Sequence, residues 1–211
     1  MTDGRALGGP PHKTTPLLLE KIEAAANAGV PWIQIREKQL SGRELAEFVE
    51  QALRRVPASC RVLVNDRLDV ACAVGAGGVH LGERSLPTAA AKRLVIESAL
   101  PKDFLIGVST HSLPGAQDAE KAGADYILFG PVFATPSKAE YGSPQGVEKL
   151  AEVCRNVSLP VLAIGGVTLE NARSCLAAGA RGIAAIRLFQ DAPDMACLLR
   201  ALKTGPGATG G

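Results

Sequence analysis

Six short stretches of this 211-residue sequence carry side chains suited to anions, metals or protons. In Gln34-Ile35-Arg36-Glu37-Lys38 the residues alternate, so an extended chain puts Gln34, Arg36 and Lys38 on one face. Two cations and an amide there suit a phosphate-rich anion. The same residues also read as a rim salt-bridged to Glu37 and Glu44. Asn65-Asp66 sets a carboxylate beside an amide, a pair able to hold Mg2+ and a polar substrate edge. Taken alone, Asp66 reads first as an N-cap for a helical stretch over 67–74. Ser109-Thr110-His111-Ser112 offers hydroxyls for a phosphate, with Ser112 placed to cap the next helix. His111 is there as an acid/base or as a polar loop residue. Thr135, Ser137 and Lys138 stand in a long stretch reaching Gly146, read as a phosphate-gripping lid or as a solvated loop. Gly165-Gly166 precedes Thr168, expected to open a helix whose bare N–H groups would hold an anion. Ile186 and Arg187 close a last apolar run, where Arg187 adds charge to that site or faces outward.

These residues need a scaffold, and the hydrophobic pattern supplies one. The runs 32–36, 62–65, 78–81, 104–109, 126–132, 160–164 and 183–188 have strand length and are bounded by Gly, Pro or polar residues. Segments of helical composition lie between them, at 17–27, 42–55, 88–98, 113–121, 147–155, 169–177 and 193–202. A weak repeat marks the joints. Ala28-Gly29-Val30, Gly75-Ala76-Gly77, Ala122-Gly123-Ala124 and Ala178-Gly179-Ala180 each stand just before a strand. Regular alternation of this kind implies a parallel sheet covered by helices. No Gly-x-Gly-x-x-Gly or phosphate-loop motif points to an open dinucleotide fold. The expectation is an α/β protein with a (β/α)8 TIM barrel, and all the polar stretches above then fall at the C-terminal ends of strands, where such barrels place their sites. The first strand is short or truncated. Only residues 1–7 are available for it, and a gap there leaves an edge open. One domain over 1–211 is expected, with 1–13 and 204–211 as flexible tails.

Composition narrows the function. A net charge of +2 is too small for a nucleic-acid or membrane partner, so excess charge must be local. Aromatic residues, at 4%, are too few for a stacking platform. The five cysteines are scattered, odd in number and without a Cys-x-x-Cys pair, which argues against a disulfide framework or a zinc site. No apolar run reaches membrane-span length and no signal-peptide pattern opens the chain, so the cytoplasm is expected. Oligomeric state is open, with a homo-oligomer among the options. The cations separate into two groups around one mouth. Arg36, Lys38, Asp66 and Lys138 suit a metal-bound diphosphate, whereas Gly165-Gly166 and the last strand suit a monophosphate. Two small phosphorylated substrates account for both.

Six motifs in this order, Trp-Ile-Gln-Ile-Arg-Glu-Lys (32–38), Val-Asn-Asp-Arg (64–67), Gly-Val-His-Leu-Gly (78–82), Gly-Val-Ser-Thr-His-Ser (107–112), Gly-Pro-Val-Phe-Ala-Thr-Pro-Ser-Lys (130–138) and Ala-Ile-Gly-Gly (163–166), resemble the thiamin phosphate synthase and thiazole tautomerase superfamily over residues 17–189. The resemblance, closest to the synthases, implies a transferase. It would join 4-amino-2-methyl-5-(diphosphooxymethyl)pyrimidine to 4-methyl-5-(2-phosphooxyethyl)thiazole or its carboxylate, through a pyrimidine carbocation. By the same resemblance Gln34, Arg36, Lys38, Asn65, Ser109 and Lys138 would hold the pyrimidine diphosphate, and Asp66 would bind Mg2+. Thr135, Ser137, Gly166, Ile186 and Arg187 match the thiazole phosphate positions. Two departures stand out. Ser85 occupies the position of the usual second Mg2+ aspartate, with Glu83 nearby as a substitute ligand, and Arg187 replaces the usual Ser. The missing aspartate leaves a second reading, a thiazole tautomerase using His111, and a third, a non-catalytic binder of thiazole or thiamin phosphate.

Overall fold

The computed structural model describes residues 1–9, 11–135 and 143–204. Seven parallel strands pair in chain order, β1 Trp32–Ile35, β2 Arg61–Asn65, β3 Gly78–Leu81, β4 Leu105–Thr110, β5 Tyr126–Phe129, β6 Val161–Ile164 and β7 Gly182–Ala184. The helices are α1 Pro11–Asn27, α2 Gly42–Arg55, α3 Leu68–Ala73, α4 Thr88–Glu97, α5 Leu113–Lys121, α6 Gly146–Asn156, α7 Ala172–Ala177, α8 Arg187–Gln190 and α9 Met195–Thr204. This is a TIM-barrel-like α/β fold. The strands are apolar on both faces because both are covered. Ile35, Val64, Ile106 and Ile127 pack outward against helices, while Leu63, Tyr126, Leu128 and Ile164 form an inner cluster.

Local signals act where the sequence puts them. Ser41 and Glu44 close a reciprocal capping box on α2, and the Ser112 hydroxyl accepts from Gly115 N–H at the start of α5. The repeated glycines at 29, 123 and 179 turn with positive φ from helix into strand.

The expected eighth strand takes a reduced form. Among the described residues no strand precedes α1. Instead Met1 and Thr2 cross the gap between β1 and β7. Thr2 N–H donates to the Gln34 carbonyl at 2.8 Å, and the Met1 ammonium donates to the Ala185 carbonyl at 3.3 Å. Burial pushes that ammonium down to about 6. Residues expected to belong to a flexible tail therefore pack, and Thr2 is only 5% exposed. A 3-10 turn over Gly4–Leu7 follows, then α1 from Pro11. The rest of the gap is an apolar cavity of about 610 Å3, lined by Trp32, Leu63, Leu128 and Leu162 of the sheet, Leu18 and Ile22 of α1, and Leu199 and Leu202 of α9.

Two expected strands are shorter than their apolar runs. β5 stops at Phe129, and residues 132–133 go on to hydrogen-bond the last residue of β6 and the glycine after it. β7 stops at Ala184, because Ile186 turns into the helical region and Arg187 opens α8.

Candidate active site

The C-terminal strand ends bring most of the expected residues to one mouth. Gln34 on β1 and Asn65 on β2 meet side by side, with Gln34 Nε2 donating to Asn65 Oδ1 at 3.0 Å. Gln34 is buried and Asn65 half-buried, so the pair is held at the strand ends. Arg36 is half-buried and Lys38 exposed just beyond β1. Neither takes an ion-pair partner among the described residues. The acids considered as their partners are engaged elsewhere. Glu44 serves the α2 cap. Glu37 turns away from the mouth, accepting from Thr2 Oγ1 at 2.6 Å, Gly4 N–H at 2.9 Å and Gln39 Nε2 at 2.8 Å. The Thr2 hydroxyl oxygen in turn accepts from Arg36 N–H at 2.9 Å. Among the described residues no acid holds the two cations, which suits them to an external anion.

Asp66 is not an N-cap. The cap residue of α3 is Arg67, with no side-chain cap bond. Asp66 instead has φ +67, a left-handed conformation that costs a non-glycine residue roughly 1 kcal/mol or more. Its amide is tied to the His80 carbonyl at 2.8 Å, and the turn leaves the carboxylate exposed at the rim beside Asn65. Strain held at a strand end marks a site that the surrounding structure over-determines.

Ser109, on β4, stands over a buried polar column. Its Oγ is 2.8 Å from His80 Nε2, and His80 Nδ1 is 3.0 Å from Tyr126 Oη. Burial pushes the Tyr126 phenol up, so it keeps its proton. His111 follows β4, half-buried, with Nδ1 against the Gly130 carbonyl and Nε2 3.6 Å from a Glu83 carboxylate oxygen. Ser85 uses its hydroxyl oxygen to accept Gly82 N–H at 2.8 Å, closing a local turn.

The second cluster is built on the chain after β5 and β6. Val132 N–H donates to the Ile164 carbonyl at 2.9 Å and Phe133 N–H to the Gly165 carbonyl at 3.0 Å. A Cβ on Gly166 would fall 2.5 Å from the Ala134 carbonyl oxygen and 2.8 Å from Phe133 Cβ, so only glycine permits this approach. Thr135, half-buried, follows Ala134 at this approach, whereas Ser137 and Lys138 lie outside the described residues. Two expectations are corrected. Thr168 does not open a helix, since α7 begins at Ala172 and Thr168 N–H is used by Asn171 Oδ1 at 2.8 Å. Asn171 Nδ2 also donates to the Gly166 carbonyl at 3.0 Å, so a closed turn replaces the bare helix terminus. Arg187 does not extend a strand but starts α8, exposed, with Ile186 as cap residue.

Sequence reasoning missed His80, Tyr126 and Glu37 as parts of the site. A signal existed for the first two. A histidine inside an otherwise apolar strand, with a glycine and a tyrosine at matching positions of the next two strands, is a buried polar group in need of partners.

Among the described residues no group of three or more His, Cys, Asp or Glu could cage a metal. Mg2+ does not need such a cage. It is commonly held by one or two carboxylates with substrate phosphates and water. The exposed Asp66 carboxylate, at the strand end beside Asn65, fits that mode. Among the described residues no helix is long and apolar enough to cross a membrane.

Residues 10–189 match the family model described as thiamine monophosphate synthase. A thiamine-phosphate synthase of Methanoculleus marisnigri is 43% identical over 187 residues, covering 88% of this chain and 85% of the relative. A thiamine-phosphate synthase of Roseiflexus is 39% identical over 203 residues, covering 96% and 81%. The thiamine phosphate pyrophosphorylase of Pyrococcus furiosus superposes with a TM-score of 0.80 at 33% identity, covering 96% of this chain and 93% of that one. A 3-hexulose-6-phosphate synthase, at 18% identity and a TM-score of 0.68, shares the fold alone. With the matched residues spanning most of the chain and its strand-end motifs, the chain belongs to the thiamine monophosphate synthase family.

Proposed function

We propose that this protein is a thiamin phosphate synthase, joining the pyrimidine methyl diphosphate to the thiazole phosphate with loss of diphosphate, or to its carboxylate with loss of diphosphate and CO2. The observation that carries the reading is the row of Gln34, Asn65 and Asp66 on adjacent strand ends, with Arg36 and Lys38 in no ion pair among the described residues. Arg36 and Lys38, with Lys138, hold the diphosphate. The Gln34–Asn65 pair and Ser109 fix the pyrimidine edge. Asp66 would hold Mg2+ jointly with diphosphate oxygens, supplying positive charge as the leaving group forms. Glu83, paired with His111, is a less fitting ligand, and Ser85 is committed to its turn. The carbon–oxygen bond to the diphosphate breaks with its electron pair going to the leaving oxygen, and the preorganised cations stabilise that charge. The thiazole nitrogen lone pair then closes on the pyrimidine methylene carbon. Thr135, Ser137, Gly166, Ile186 and Arg187 take the thiazole phosphate, with Arg187 adding a charge at its edge. The site is expected to work in the cytoplasm on small phosphorylated substrates.

The test is synthesis of thiamin phosphate from both substrates with and without Mg2+. Mg2+-dependent product is expected, with Arg36→Ala lowering kcat/KM by at least about a hundredfold. Product formed equally well in chelator would overturn the metal assignment, and no product from the two substrates would overturn the synthase reading.

A second reading rests on the pairing of His111 with Glu83 and the Gly130 carbonyl, a histidine oriented on both ring nitrogens as proton-transfer residues are. It predicts isomerisation of the thiazole carboxylate phosphate without metal, lost in His111→Gln.

A further inference from the structure

The inner row of the barrel holds a polar relay that runs from buried Tyr126 and His80 up to Ser109. His80 on β3 is in register with Gly107 on β4, and Gly107 with Tyr126 on β5. Side chains in register on one face normally fill their own positions. Here the middle position is empty, and Tyr126 fills it. A Cβ on Gly107 would fall 2.0 Å from Tyr126 Cζ and 2.3 Å from its Oη. The glycine is what lets the tyrosine lie across β4 and bring its hydroxyl within 3.0 Å of His80 Nδ1 on the far side. Trp32 packs on the same ring, centroids 5.0 Å apart, and fixes it from β1.

The direction of the relay follows from donor and acceptor bookkeeping. Among the described residues the buried Tyr126 hydroxyl has no hydrogen-bond partner but His80 Nδ1, so its O–H proton goes to that nitrogen, which then carries no proton of its own. That acceptor role places the ring proton on Nε2, which points at Ser109 Oγ at 2.8 Å. A serine that accepts from below has its own O–H left to donate above. Ser109 lies two residues beyond Gly107 on the same face of β4, one layer nearer the mouth.

We propose that His80, oriented by Tyr126 across Gly107, is a positioning residue that makes Ser109 a fixed hydrogen-bond donor toward the substrate in the mouth. This rests on the synthase reading for the identity of that substrate, but the tautomer it requires does not. Ser109 would then meet an acceptor, a diphosphate oxygen or a pyrimidine ring nitrogen, and would not serve as a base.

Two measurements on the full-length protein test it. The sequence has three histidines, so 15N-resolved imidazole spectra are simple to assign with a His80→Gln control. His80 is expected as the neutral Nε2–H form, and Tyr126→Phe is expected to lose that preference while melting as a folded protein. An Nδ1–H or charged His80 in the wild type overturns the proposal whatever the enzyme assay shows. In kinetics, Tyr126→Phe is expected to lower kcat/KM for the pyrimidine diphosphate about tenfold with the thiazole KM unchanged. His80→Gln, whose amide nitrogen can reach the Nε2 place, should retain more activity than His80→Asn, whose amide reaches only the Nδ1 place. Equal losses in the two variants, or an unchanged Tyr126→Phe enzyme, would show a merely structural column and overturn the proposal. Absence of product in the wild type would instead strike the synthase reading and leave the tautomer result to decide this one.

Discussion

The closed side of the barrel, β2 to β6, and the seam between β7 and β1 solve the same packing problem with different means. On the closed side each strand hydrogen-bonds two neighbours, and the residues between sheet and helices are fully buried, as at Ile106, Ile127 and Ala163. At the seam two strands face each other across a cavity of about 610 Å3, and two residues bridge it. Polar contacts do there what apolar packing does elsewhere. Glu37, 4% exposed, gathers Thr2, Gly4 and Gln39 and so ties the bridge to the strand end that carries Arg36 and Lys38. The difference teaches that the site draws on both sides. Asp66, Ser109 and Gly166 sit on strand ends in the continuous sheet, while Gln34 and Arg36 stand on an edge strand held by a polar latch.

The sharpest contrast is steric. Gly107→Ala places a methyl inside the Tyr126 ring, which is itself hemmed in by Trp32 and His80. A loss of roughly 3 kcal/mol or more is expected by chemical denaturation, in the range of severe overpacking. Gly182→Ala on the seam strand meets only Leu162 Cδ2 at 3.1 Å, the free end of a side chain that borders the cavity. It should cost less than about 1 kcal/mol. Similar losses at both positions would mean that the seam is as tightly packed as the rest.

The latch comes next. Glu37→Ala removes acceptors from the Thr2 hydroxyl and the Gly4 amide, both buried, and about 2–3 kcal/mol should be lost. Glu37→Gln keeps one acceptor oxygen but turns an amide group toward the Gln39 amide, so about half that loss is expected. Because Thr2 also supports Arg36 N–H, both variants should raise KM for the pyrimidine diphosphate more than for the thiazole. Equal stability of wild type and Glu37→Ala would show that the bridge over the seam contributes nothing.

The same contrast explains what the sequence made legible. Strands on the closed side were readable because burial on both faces leaves continuous apolar runs, and the helix-ending glycines at 29, 123 and 179 fixed the joints. Gln34, Asn65, Asp66 and Ser109 were readable because alternation and strand ends place them at the mouth. The seam was readable only as a doubt about the first strand. Its bridge depends on main-chain hydrogen bonds at Thr2 and Met1, which residue types do not encode. Arg187 was misplaced because Ile183 to Leu188 is apolar enough for a strand, yet the chain turns at Ile186, and only tertiary context decides where an apolar run stops pairing. Thr168 was misplaced because a threonine before a helix reads as a cap, and nothing in the sequence said that Asn171 would take its amide. His80 carried a signal, a polar ring inside an apolar run, but went unassigned because its partners emerge only when three strands are set in register.

The smallest expected effect reverses in sign between the two regions. Ala184 lines the seam cavity, and Ala184→Val adds two methyl groups to space that is already present. Each buried carbon is worth up to about 0.8 kcal/mol, and valine suits a strand, so a gain of roughly 0.5–1 kcal/mol is expected. Ala163, on the neighbouring β6, is fully buried between sheet and helices. There Ala163→Val has no space to enter and should cost about 1–3 kcal/mol. The two substitutions are chemically identical and lie on paired strands, so propensity and hydrophobicity cancel in the comparison, and the difference in melting temperature reports the packing alone. Destabilisation of equal size at both positions would mean that the cavity is closed in solution by inward movement of α1 and α9, and the seam would then count as part of the continuous core.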